Sequence, residues 1–169
     1  NLPGLLEALR PKPRAEIEDL VRDGRIDVLW LVGENPFDER PPVKTIIHQN
    51  TLPPPAGLAP DVVLPAAIWT ESDGVMVNSE RTLTLFQKAV DPVGQALPDW
   101  QIIARIACAM GYSDSFSYDS AEDVFDEIKR FWNAKTGYDL RGVSYDRLRQ
   151  TPLQWPCPPD STGGRNPIR

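Results

Sequence analysis

Residues 61–100 read DVVLPAAIWTESDGVMVNSERTLTLFQKAVDPVGQALPDW, and this stretch contains the transitions that decide the fold. Asp61–Leu64 is a short β-branched run closed by Pro65, the pattern of a buried strand. Asp73-Gly74 supplies an acid–glycine turn, and Asn78, Glu80 and Arg81 form a polar group too specific for a generic connecting loop. Farther on, Asp99 can N-cap a helix over Trp100–Met110, its carboxylate accepting from orphan backbone N–H groups, with Gly111 as the stop. A strand, a turn and a helix thus follow one another in about forty residues, the alternation of an α/β domain.

The flanks repeat that alternation. Arg14–Asp23 places Ile17, Leu20 and Val21 at helical spacing before Gly24, which predicts a helix ending in a left-handed residue. Asp27–Val32, with its VLWLV run, and Thr45–His48 predict two further strands. Ser120 predicts a cap for a helix over Ala121–Trp132, whose Val124, Phe125, Ile128, Phe131 and Trp132 form one apolar stripe. The expected fold class is α/β: a parallel sheet holding the three strands, flanked by helices in three layers, as in dinucleotide-binding domains. Residues 1–150 are assigned to this domain and residues 151–169 to a proline-rich linker. One connection resists the scheme. Gly33–Lys44 contains Pro36, Pro41 and Pro42, whereas a parallel crossover ordinarily needs a dozen residues and a helix. Either the chain has lost its crossover helix or a segment between Pro36 and Thr45 is missing, and the second is expected.

Composition narrows the function classes. The chain has 169 residues, enough for one domain, and 18 prolines concentrated at 36–60 and 152–167, zones expected to be irregular. Its 24 acidic against 18 basic residues give a net charge of −6, without the clustered cations a nucleic-acid surface needs. Cys108 and Cys157 stand far apart and His48 is the one histidine, so no zinc or iron–sulfur ligand set can be assembled and a reducing compartment is expected. His48 and Cys108 are read as structural, and Gly137, Gly142, Gly163 and Gly164 as turns. No stretch is apolar enough to span a membrane, and no leader pattern is seen.

Four words in the opening stretch, Leu64-Pro65-Ala66-Ala67, Trp69-Thr70-Glu71-Ser72-Asp73-Gly74, Asn78-Ser79-Glu80-Arg81 and Pro92-Val93-Gly94 through Pro98-Asp99-Trp100, occur in the same order in the molybdenum oxidoreductases that carry two molybdopterin guanine dinucleotides. The chain closely resembles the pterin-binding region of that family, and the likeness extends to Asp23–Pro36 and Tyr118–Pro158. The tail is most similar to assimilatory nitrate reductases, with formate dehydrogenases next. The resemblance implies a fragment of a cytoplasmic enzyme that reduces nitrate to nitrite, with molybdenum on the pterin dithiolenes and an iron–sulfur cluster outside this chain. It further implies a missing C-terminal barrel and, as partners, the remainder of the enzyme and an electron-donor protein or reductase subunit. A scaffold without molybdenum, as in the large iron–sulfur subunit of respiratory complex I, is the alternative of another class.

The same resemblance assigns the cofactor to strand and helix ends: Gly33, Glu34 and Asn35 after one strand, Gln49 and Asn50 after the next, then Ser72 and Asp99. Ligands of open α/β sheets bind outside the carboxyl ends of the strands. Gly33 admits close backbone approach and Asn35 offers a donor and an acceptor, although Asn35-Pro36 is equally a strand-ending turn. Asn50 stands where relatives carry Asp, Ser72 where they often carry Lys, and Thr82 where most carry a second Arg. Asp99 is then the carboxylate best suited to guanine N1–H and N2–H2, in competition with its capping role. Glu80 and Arg81 are expected to pair and order the loop beneath the cofactor.

Overall fold

In the computed structural model, which describes residues 12–133, 135 and 137–161, the apolar runs form the expected strands with small boundary shifts. Helix α1 is Arg14–Arg22, and Gly24 after it takes φ +66°. Strands β1 (Val28–Val32), β2 (Thr45–Asn50) and β3 (Val62–Pro65) form one sheet in that order. Both pairings are parallel, with Val28 opposite Thr45 and Ile47 opposite Val62. Residues 162–169, the end of the proline-rich zone, and with them Gly163 and Gly164, lie outside the described residues.

Strand alternation sends Leu29, Leu31 and Ile46 to one face, where they pack with Val21 of α1. The opposite face is less covered: Val28, Val32 and Val62 remain 56%, 44% and 41% exposed. Gln49 lies on that same face yet is fully buried.

The sheet departs from expectation in its crossovers. Neither 33–44 nor 51–61 contains a helix, because proline removes the donors and the φ freedom a helix requires. The two loops supply core residues directly instead: Val43 and Leu58 are buried in the α1 cluster, with Phe37 packed beside them. They also touch each other closely, since a Cβ on Gly57 would stand 2.6 Å from the Asp38 carbonyl oxygen. Arg40 fastens the pair, donating to the Ala59 carbonyl at 2.5 Å and to Asp61 Oδ2 at 2.8 Å. That Asp61 oxygen accepts the Ile46 N–H at 2.7 Å. The Ile46 hydrogen bond first, and Arg40 second, hold the Asp61 carboxyl below the usual carboxylate range.

A second sheet, absent from the sequence-based scheme, follows. Strand β4 (Gly74–Val77) and β5 (Thr82–Phe86) form an antiparallel hairpin, and β5 also pairs with β6 (Leu153–Gln154). Asn78 orders the turn, its Oδ1 accepting from the N–H groups of Glu80 and Thr82. Arg81 adopts φ +65° and sets its guanidinium 5.1 Å from the Trp155 ring centroid. Leu153 and Cys157, both past residue 150, are buried in the core of this region.

Helix α2 is Asp99–Ala109, α3 is the single turn Ser113–Phe116, α4 is Ala121–Phe131 and α5 is Tyr145–Gln150. The expected apolar stripe of α4 is sorted by packing: Phe125 is buried in the second core and Ile128 packs against it, while Phe131 is 62% exposed. Ser120 caps α4 as its sequence predicts, accepting from the Asp123 N–H while Asp123 accepts from the Ser120 N–H. Ser120→Ala should therefore cost about 1 kcal/mol, read as a lower denaturant midpoint at unchanged slope. A midpoint equal to wild type would remove the capping account.

Candidate functional site at the carboxyl ends of the parallel strands

β1 and β2 run parallel, so their last residues share one edge, and the chain after each strand must turn away there. Gly33 makes the first turn at φ +73°, donating its N–H to the Gln49 carbonyl at 2.9 Å. Its own carbonyl accepts from Asn50 Nδ2 at 2.8 Å. Asn50 also receives the Leu52 N–H on Oδ1 at 3.1 Å, which fixes the exit from β2. Glu34 is exposed beside this turn.

Asp99 reaches the same edge from fifty residues away. The Ala66–Leu97 bridge lays the segment before α2 alongside the end of β3, and Gln49 Nε2 donates to Asp99 Oδ1 at 2.6 Å. This corrects the expected cap. Pro98, extended at ψ 141°, occupies the N-cap position, and Asp99 is the first helical residue with its side chain turned to Gln49. Proline there is physically adequate, because its carbonyl accepts the Gln101 and Ile102 N–H groups and it has no donor to strand. A carboxylate in the first turn still meets the positive end of the helix dipole.

Gly33, Asn50, Gln49 and Asp99 are thus brought together, with Glu34 next to them. Asn35 and Ser72 are not linked to this group by hydrogen bonds. The Asn35 amide closes on Phe37, accepting its N–H at 2.9 Å and donating to its carbonyl at 2.7 Å, which is the turn-forming role. Ser72 donates to the Ile68 carbonyl at 3.4 Å and lines a cavity with Leu97 and Pro98.

The edge presents unsatisfied hydrogen-bond acceptors. Gln49 is 0% exposed, and its Oε1 is buried without a partner while its Nε2 holds Asp99. A buried acceptor without a donor costs roughly 1–3 kcal/mol, so a ligand N–H reaching it would be stabilised. The exposed Asp99 keeps Oδ2 for a donor, and the backbone at Gly33 is open, with nothing within 4 Å of where a Cβ would stand. Sequence spacing could not reveal the Gln49–Asp99 pair, since only the tertiary fold makes them neighbours.

The sequence model of the molybdopterin oxidoreductases matches residues 15–109, and the chain belongs to that family. Membership implies a molybdenum–pterin cofactor. Over 92% of its length the chain is similar to the F420-dependent formate dehydrogenase subunit alpha of Methanocaldococcus jannaschii, at 37% identity and 24% of that protein. It is 36% identical over 85% of its length to the assimilatory nitrate reductase catalytic subunit of Bacillus subtilis, covering 22% of it. Among solved structures, acetylene hydratase from Pelobacter acetylenicus aligns with 67% of this chain and 15% of its own, at 22% identity and a TM-score of 0.46. The chain therefore spans about a quarter of the length of these two sequence relatives. Among the described residues no helix is long and apolar enough to cross a membrane.

Proposed function

We propose that this chain holds the guanine dinucleotide end of a molybdopterin cofactor in an enzyme that, when intact, reduces nitrate to nitrite. The observation carrying the proposal is the Gln49–Asp99 pair at the carboxyl edge of the parallel strands, with a buried amide oxygen awaiting a donor. Gln49 Oε1 and Asp99 Oδ2 would take guanine N–H groups, while Gly33, Glu34 and Asn50 would shape the path of ribose and phosphates. Asn35 and Ser72 belong to the proposed site by resemblance, in supporting rather than contacting positions. The bound group would supply the redox chemistry; these residues bind and orient it.

Nitrate is taken as substrate on the resemblance of Tyr118–Pro158 to assimilatory nitrate reductases alone. Formate is the second reading, supported by the 37% identity with the methanogen formate dehydrogenase subunit. On the same proposal the iron–sulfur cluster, a C-terminal barrel following residues 151–169 and the electron-donor contact lie elsewhere in a cytoplasmic enzyme. The short 33–44 crossover would then be a shortened or excised one, in keeping with the exposed Val28, Val32 and Val62 on one sheet face. The full-length protein should reduce nitrate with a reduced viologen and leave formate unoxidised. Formate oxidation without nitrate turnover would replace the first substrate by the second, and absence of molybdenum from the folded protein would point to a scaffold.

A further inference from the structure

A cavity of about 460 Å3 is lined by the segment before β4, the end of β5 and the residues after it, and residues of α2, α4 and α5. None of Gly33, Gln49, Asn50 or Asp99 lines it. Four of its wall residues are acidic, Glu71, Asp73, Asp119 and Glu122, and two of its aromatic residues are Trp100 and Tyr145. Glu71 Oε2 is engaged by the Ile68 N–H and Asp73 Oδ1 by the Lys88 N–H. The side-chain carboxylates of Asp119 and Glu122 meet no hydrogen-bond donor or ion-pair partner among the described residues.

The wall also carries Lys88 and Arg149, but each is held by an acid that does not line the cavity. Lys88 pairs with Asp91 at 2.8 Å and Arg149 with Asp146 at 2.5 Å. Carboxylates gathered around a partly enclosed space repel one another; among the described wall residues Lys88, which also acts on Asp73, and Arg149 offset the four acids only in part.

Tyr145 gives the independent sign of a ligand. The residue is 5% exposed, and its hydroxyl is buried with no hydrogen-bond partner, an arrangement that costs about 1–3 kcal/mol unless something fills it. Burial first, then Glu122 and Asp73 of the same wall, push its pKa up to about 12. The phenol is neutral at physiological pH, as any tyrosine is, and because Tyr145 lines the cavity a guest N–H that reaches its oxygen would meet an unpartnered acceptor.

We propose that this cavity binds a guanidinium group, with Glu122 and Asp119 accepting its N–H donors, the Tyr145 oxygen accepting another and Trp100 offering a ring face. A guanidinium fits better than a compact ammonium because it is planar, weakly hydrated, able to stack on aromatic rings and rich enough in donors to serve several acceptors at once. The volume accommodates the group with part of its alkyl arm. Among the described residues no cluster of His, Cys, Asp and Glu is arranged to hold a metal ion, so an organic cation is the fitting occupant. The group could come from a free alkylguanidine or from the arginine of a partner polypeptide, which share this chemistry. Ser72 borders both this cavity and the proposed dinucleotide site, but the proposal uses none of the residues argued to contact the nucleotide.

Calorimetric titration of the full-length, cofactor-loaded protein with agmatine, with the blocked tripeptide acetyl-Gly-Arg-Gly-amide and with inorganic phosphate tests it. Saturable binding of agmatine or the tripeptide is expected, the tighter of the two identifying the source, with no binding of phosphate at this site. The double variant Asp119→Asn/Glu122→Gln should weaken the guanidinium probe about tenfold or more, as loss of charge-assisted hydrogen bonds requires. Tyr145→Phe removes only an unpartnered hydroxyl, so it should leave the melting temperature unchanged or raised while weakening the probe severalfold. Failure of both guanidinium probes to saturate, equal affinity in wild type and both variants, or phosphate competing for the cavity would each overturn the proposal.

Discussion

Gly142→Ala is expected to destabilise this protein more than any other single methyl addition in the described fold. A Cβ at residue 142 would lie 2.2 Å from the Pro158 carbonyl oxygen, 2.7 Å from its carbon and 2.8 Å from the Cys157 carbonyl oxygen. All three are backbone atoms, so no side-chain rotation can make room. The surrounding backbone is itself tied down: Gly142 N–H donates to the Cys157 carbonyl at 2.8 Å, and Cys157 N–H donates to the Asp139 carbonyl at 2.6 Å. Arg147 bonds the Gly142 carbonyl as well as the Ser161 carbonyl. Moving the 157–158 segment away would pull Cys157, which is 0% exposed, from Leu140, Val143 and Leu153. A loss on the order of 3 kcal/mol or more follows from overpacking a site that cannot relax. Denaturant titration of the variant measures it. A midpoint matching wild type would mean that the 142–158 approach is not formed.

The second large effect is expected at Asp99. Asp99→Ala removes the acceptor held by Gln49 Nε2 at 2.6 Å, leaving both ends of a fully buried amide unsatisfied, since Gln49 Oε1 already lacks a partner. That costs about 1–3 kcal/mol in stability. If Asp99 also receives a guanine donor, cofactor affinity falls by a further 1.5–3 kcal/mol, roughly tenfold to a hundredfold. Asp99→Asn separates the two losses. Its amide oxygen can still accept from Gln49, so stability should be largely kept, while the charged acceptor for the nucleotide is gone. Equal cofactor content in the Asn variant and wild type would limit Asp99 to a structural role.

The parts of this fold legible in the sequence are those with local causes. Asp27–Val32, Thr45–His48 and Asp61–Leu64 carry short apolar or β-branched runs, on which β1, β2 and β3 form with bounds shifted by one or two residues, and Ser120 with Asp123 makes a reciprocal cap that four residues encode. What escaped is non-local. The crossovers stay irregular because Arg40 and Asp61, twenty-one positions apart, fasten loops that proline forbids to become helices. The antiparallel sheet was hidden in Gly74–Phe86, where GVMV and TLTLF are too short for an unambiguous period, and its third strand joins Thr82 to Gln154 across 72 positions. At the candidate site, the strand-end positions of Gly33, Gln49 and Asn50 follow directly from the strands. The turn of Asp99 away from its expected cap depended on Pro98 filling that place, a choice that the Pro-Asp pair leaves undecided until the end of β3 and the segment before α2 meet.

Measuring guanine nucleotide and molybdenum together in purified full-length wild type, Asp99→Ala and Asp99→Asn tests the central claim most directly. Nucleotide released on denaturation is quantified per folded polypeptide, with foldedness checked by the melting transition. The account predicts that wild type releases guanine nucleotide together with molybdenum and that both fall in the two variants, including the Asn variant whose melting temperature stays near wild type. Full guanine nucleotide and full molybdenum in a folded Asp99→Ala protein would contradict it.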